Sequence, residues 1–233
     1  MNVIPFKWRL YSFAQMLRGR LGMRSRRKNT KIFCIGLNKT GTTSWTEAMH
    51  ELGYRIGNER CGEILLEPCA EKEYGELLRF CETGEVFQDI PFNLPGVYRA
   101  VHSKYPDAKF VLTVRDSTEQ WYASITRFHG KLWSSEVDAP PSPSDLRGAR
   151  YIHRGWPAIV MSKVFQMKDD EPYARERLCR YYEKYNREAA EYFEDHKDQF
   201  IILNVGKKGE LNRLREFLNK PGTDEEFPWK NKT

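Results

Sequence analysis

Residues 32–45 read Ile-Phe-Cys-Ile-Gly-Leu-Asn-Lys-Thr-Gly-Thr-Thr-Ser-Trp, an apolar run of β type feeding a Gly/Thr-rich turn and then a helix. A buried strand that turns at once into a helix aims backbone N–H groups toward one anion. The Thr40, Thr42 and Thr43 hydroxyls and the Lys39 ammonium add donors around it. Gly36 and Gly41 keep the spacing of the nucleotide-triphosphatase loop G-x-x-x-x-G-K-[ST], but Thr42 stands at the lysine position and Lys39 lies inside the loop. The anion cradle is kept and the triphosphate grip is altered.

More segments follow in order. Gln88-Asp89-Ile90-Pro91 and Lys104-Tyr105-Pro106-Asp107-Ala108-Lys109 precede the run from Lys109 to Ser124, KFVLTVRDSTEQWYAS. Beyond lie Tyr181 to Glu188, Phe200 to Val205, and Leu214 to Leu218. With these segments the chain, from about residue 30 onward, resembles sulfotransferases that use 3′-phosphoadenosine 5′-phosphosulfate (PAPS), in their short, mostly microbial and invertebrate branch.

The resemblance implies a set of roles. Asn38, standing where the family commonly has Pro, together with Thr40, Gly41, Thr42, Thr43 and Ser44, would hold the 5′-phosphosulfate. Lys39 would meet charge developing on the bridging oxygen of the leaving group. Arg115 and Ser124 would bind the 3′-phosphate, although Ser124 follows the arginine by nine residues where the family usually has eight. Asp89 would be the base that takes the acceptor's proton, with His102, His129 and His153 as rivals. Lys207-Lys208-Gly209 would close on the 3′-phosphate. The acceptor would be a hydroxyl, less readily an amine, of a small molecule or glycan, and no metal or nucleic acid is called for.

At 233 residues the chain suits a single core, and no repeat or long low-complexity linker divides it. Apolar runs alternate with helical patterns. Strand candidates are 31–36, 54–57, 85–88, 109–114 and 199–205; helix candidates are 42–52, 72–82, 96–103, 118–128, 173–197 and 208–218. This order predicts a three-layer α/β fold of P-loop type, with a mainly parallel sheet between helices. Residues 131–155, with Pro140-Pro141-Ser142-Pro143 inside, lack periodicity and read as an acceptor-site lid.

The formal charge of +6 would suit nucleic acid, but its distribution does not. Residues 1–29 carry eight basic side chains (Lys7, Arg9, Arg18, Arg20, Arg24, Arg26, Arg27, Lys28) and no acid, so residues 30–233 are left at −2. This divides the chain into a basic segment, 1–29, and one catalytic-type domain, 30–233. Within the segment Phe6, Leu10, Phe13, Ala14, Leu17 and Leu21 recur at helical spacing, an amphipathic helix over Pro5 to Leu21. Three uses stay open for it: packing over the domain, docking on a membrane surface, or serving as a cleaved leader.

No apolar run is long enough to span a bilayer, and five cysteines without paired spacing show neither a zinc site nor a disulfide framework, though one bridge among Cys61, Cys69 and Cys81 stays open. The expected location is cytoplasmic or membrane-peripheral. The alternatives to a sulfotransferase are a P-loop kinase with a displaced lysine and a non-catalytic nucleotide-binding or membrane-tethered module.

Overall fold

The computed structural model describes residues 5–23, 30–222 and 226–228. Helix α1 (Phe6–Gly22) precedes β1 (Ile32–Cys34) and α2 (Thr42–Glu51). Short helices α3 (Glu59–Glu63), α4 (Leu66–Ala70) and α5 (Gly75–Phe80) lead to β2 (Val86–Phe87), and α6 (Pro95–Lys104) leads to β3 (Lys109–Thr113). Helices α7 (Thr118–Trp133), α8 (Pro143–Gly148), α9 (Trp156–Lys163) and α10 (Arg175–Tyr192) come before β4 (Phe200–Leu203), and α11 (Glu210–Phe217) follows it.

The four strands form one sheet in the order β2-β1-β3-β4, every pair parallel. The α/β architecture with a helix-covered parallel sheet is the one the sequence predicts. Its cause is visible in β1 and β3, which are apolar at every described inner position because both faces are covered. Ile32, Cys34 and Val111 pack with Trp45, Met49 and Leu214 on one face, while Phe33, Ile35, Phe110 and Leu112 pack into the larger cluster on the other. Phe33 joins its neighbours there, its ring centroid 5.6 Å from Phe87 and 5.5 Å from Phe110.

The chain leaves β1 toward one edge of the sheet, to β2, and then crosses back past β1 to enter β3. Loops from β1 and β3 therefore diverge, and a crevice opens at their carboxyl ends, where open α/β sheets bind ligands.

Some expectations are corrected. Residues 54–57 do not form a strand; only Ile56 bridges to Val86, because Asn58 turns the chain into α3 by accepting from the Cys61 amide. Residues 131–155 are not an aperiodic lid. Helix α7 runs on to Trp133, and α8 opens on a capping box in which Ser142 accepts from the Asp145 amide and Asp145 from the Ser142 amide. The prolines read as loop by composition, yet Pro143 occupies the first helical turn, where a missing N–H costs nothing. Leu146 and Ile152 from this segment are buried in the core. All five cysteines are free, so the bridge left open among Cys61, Cys69 and Cys81 is not made. Burial pushes the Cys34 thiol up to about 12, consistent with an inert core group.

Helix α1 does rest on the body, but by the face opposite to the one its apolar pattern indicates. Gly19 lies against Thr83, Tyr11 accepts from the Asn58 side chain at 3.1 Å, and Arg20 pairs with Glu82 at 2.9 Å. Phe6, Leu10, Phe13, Leu17 and Leu21 point outward. The basic residues Arg24, Arg26, Arg27 and Lys28 lie outside the described residues.

Candidate active site

The turn between β1 and α2 is shaped by two glycines for two different reasons. At Gly36 a Cβ would collide with the Thr113 Oγ1, so only glycine lets the end of β1 approach β3. Gly41 adopts φ +101°, a left-handed conformation that caps α2, and a Cβ there would meet Val205. Lacking a side chain, Gly41 cannot bond the first amides of α2, so these donors are left to whatever occupies the cavity in front of them.

The carbonyl groups of the turn, by contrast, are tied back. Tyr185 donates to the Ile35 oxygen at 2.6 Å, Trp121 to the Asn38 oxygen at 2.9 Å, and the Arg115 Nε to the Lys39 oxygen at 2.7 Å. With its acceptors occupied from behind, the turn presents N–H groups and cations, the electrostatics of an anion site.

In front of the turn lies a cavity of about 200 Å³. Asn38, Lys39, Gly41, Thr42, Thr43, Ser44 and Arg115 line one wall, with Val205 and Gly206 from the loop after β4. The rest of the lining comes from Glu59, Glu63, Asp89, Ile90, Phe128, His129, Leu132, Trp133, Tyr151, Trp156 and Val160. The loops after all four strands thus contribute to one pocket.

Lys39 adopts φ +71°, and its Nζ sits 3.7 Å from the Phe128 ring centroid. Burial lowers its pKa, Arg115 lowers it further, and Asp89 opposes the shift. Asp89, at φ +60°, accepts at Oδ1 from the Asn38 amide group and, at 2.9 Å, from the Ile90 N–H; Thr42 donates to Oδ2 at 3.5 Å. Asn38 is itself fixed, accepting from Asn93 at 2.8 Å. Burial raises the Asp89 carboxyl from 3.8 to about 7, with Glu59 adding to the rise and the three hydrogen bonds opposing it.

Thr40 does not face the pocket. Its hydroxyl donates to the Leu37 oxygen at 2.6 Å and lies 2.6 Å from the Thr113 hydroxyl, while its amide bonds the Leu37 oxygen at 3.3 Å. It holds the turn rather than the pocket's contents. Ser124 is buried rather than exposed on α7; its Oγ has no partner among the described residues and lies outside the pocket lining. Lys207, Lys208 and Gly209 also lie outside the lining, directly after Gly206, which belongs to it. Lys207 reaches Asp116, beside Arg115, at 3.7 Å, and Gly209, at φ +82°, caps α11.

Among the rival bases, His102 is bonded to Tyr192 and Gln199, and His153 to Glu67 at 2.9 Å, both away from the pocket. His129 does line it, with Nδ1 at 2.8 Å from the Tyr173 hydroxyl, and burial lowers its pKa to about 3.

Apart from Asp89 and His129, the apolar and acidic side of this lining is what sequence reasoning missed. Glu63 accepts from Tyr151 at 2.9 Å and pairs with Arg60 at 2.9 Å, and burial raises its carboxyl to about 8. No local pattern marks Glu63 or Trp156. The segment 131–155, read as an acceptor-site lid, does contribute Leu132, Trp133 and Tyr151 to the lining, though nothing in the sequence singled out those side chains. Among the described residues no group of three or more His, Cys, Asp or Glu is placed to hold a metal ion.

A family model described as a sulfotransferase domain matches residues 31–233. No curated protein matches the chain. With the match covering β1, the cradle, the three other strands and the whole pocket lining, the chain belongs to the sulfotransferase domain family.

Proposed function

We propose that the protein moves a sulfuryl group from PAPS to a hydroxyl, less readily an amine, of a small-molecule or glycan acceptor. The observation that carries this reading is convergence: the loops after β1, β2 and β3 bring Lys39, Asp89 and Arg115 to one pocket, with the carboxylate hydrogen-bonded to Asn38 and Thr42 of the cradle.

The residues fit such a donor. The open amides of α2 with the Thr42, Thr43 and Ser44 hydroxyls would hold its 5′-phosphate. Arg115 uses Nε on the Lys39 carbonyl, leaving its terminal nitrogens for the 3′-phosphate. The unpartnered Ser124 hydroxyl and the Lys207-Lys208-Gly209 loop would complete that grip. Lys39 meets the negative charge that grows on the departing phosphate oxygen as its bond to sulfur breaks. Asp89 accepts the proton of the acceptor hydroxyl as the new oxygen–sulfur bond forms. The flat faces of Trp133, Tyr151 and Trp156 would receive the acceptor, and a raised carboxyl at Asp89 is the state expected of a base working near neutrality.

The test is incubation with PAPS labelled in its sulfuryl group and a panel of hydroxyl and amine acceptors, with and without a chelator. Label should move to at least one acceptor in the presence of chelator. Phosphate transfer from ATP that requires magnesium would replace this reading with a kinase. Tight binding of adenosine 3′,5′-bisphosphate without transfer to any acceptor would leave a non-catalytic module.

A further inference from the structure

Helix α1 carries a surface that the catalytic reading does not use. Phe6 is 78% exposed, Leu10 59%, Phe13 68%, Leu17 52% and Leu21 51%, and they account for most of the large exposed apolar side chains among the described residues. Their spacing of four, three, four and four residues puts them within an arc of about 80° on an ideal helix, one stripe along its whole length. The opposite side of the helix is occupied. Gly19 and Met23 are buried there, Trp8 lies beneath the Arg60 guanidinium at 5.4 Å, and Tyr11 bonds Asn58. A helix held on the body by one face normally turns its polar face outward; this one turns out its most apolar residues.

Charge selects the occupant. The helical period places Lys7 and Arg18 along one flank of the stripe and Arg9 along the other, where Arg20 is held by Glu82 of the body, and the sequence continues with Arg24, Arg26, Arg27 and Lys28. No acidic side chain occurs in residues 1–29. A second copy of this surface would bring like charges together, whereas anionic lipid headgroups complement them while the acyl region receives the stripe. The helix has 17 residues and is neither long nor apolar enough to cross a bilayer, so it would lie in the interface plane.

We propose that α1 docks the protein, in its folded form, on the surface of an anionic membrane, with the Phe6–Leu21 stripe inserted and the two basic flanks at headgroup level. This stands independently of the donor and acceptor. The full chain should float with phosphatidylcholine vesicles containing about 30% phosphatidylserine, bind pure phosphatidylcholine far less, and be released by high salt.

The double variant Leu10→Glu/Phe13→Glu should partition at least about tenfold less, with an unchanged melting temperature because both positions are exposed. Lys7→Glu/Arg18→Glu should lose binding to the anionic vesicles specifically. As a gain-of-signal check, Phe13→Trp should acquire fluorescence quenching by brominated-lipid vesicles beyond that of the unsubstituted protein. Any of three results overturns the proposal: no flotation of the unsubstituted chain, unchanged flotation of Leu10→Glu/Phe13→Glu, or a self-associated species in solution that Phe13→Glu converts to monomer.

Discussion

Replacing Asp89 with asparagine separates a catalytic carboxylate from a structural one. The variant keeps the shape of the side chain and the acceptor atom that receives the Asn38 and Ile90 donors, and asparagine tolerates the φ of +60°. What it removes is the proton-accepting group. The sign of the linked stability effect follows from the direction of the shift. The folded pKa, about 7, lies above the ordinary 3.8, so the fold favours the protonated form. The advantage is full below pH 4, is lost as pH rises toward 7, and leaves an ionised carboxylate that costs the fold at most about 4 kcal/mol above that. Asp89→Asn should therefore melt at a temperature that gains on the unsubstituted protein between pH 4 and pH 7. Turnover should fall by roughly 10²–10⁴-fold, which is about 3–5 kcal/mol of barrier. Sulfuryl transfer to an acceptor from the panel and thermal melts on the same preparation, across pH 4 to 9, read both effects. Turnover within a few-fold of normal, together with a lowered melting temperature at every pH, would show that Asp89 only caps its turn. The search for a base would then move to His129 and Glu63, which share the pocket.

In the unsubstituted protein kcat/KM should rise with pH through about 7 as Asp89 ionises, and a flat profile there would count against it. Lys39→Ala should lower kcat more than donor affinity, and Arg115→Ala should chiefly weaken calorimetric binding of adenosine 3′,5′-bisphosphate, because in the proposed mechanism only the lysine would meet charge that appears during transfer; equal losses in both would refute that division. Thr40→Val should destabilise the protein by about 1–3 kcal/mol in urea melts, with donor affinity nearly kept, since its hydroxyl serves Leu37 and Thr113. Gly36→Ala should cost roughly 3 kcal/mol or more, because the new methyl meets the Thr113 backbone as well as its hydroxyl; a melt unchanged from normal would contradict the close approach.

The anion cradle was legible because everything it needs is local: a strand, a glycine that permits a left-handed turn, and a helix whose first amides are open, all within residues 32–45. The parallel sheet was legible for a similar reason, since strands buried on both faces must be apolar throughout, as at Phe110–Leu112. Asp89 and Arg115 could be picked out by resemblance, but their meeting depends on the strand order, which sets β2 and β3 on either side of β1. The inward turn of Thr40 was not legible, because the hydroxyl has two possible directions and only the position of Thr113, 73 residues away, selects one. Nor was much of the rest of the lining. Glu63, Trp133 and Trp156 come from separate helices with no shared pattern, and packing alone makes them neighbours of the cradle. Helix α1 shows the same limit most plainly: its period gave the apolar stripe correctly, but Gly19 against Thr83 and Arg20 against Glu82 fix which side meets the body. Periodicity determines which residues share a face, and only the surface that receives the helix decides which face is buried.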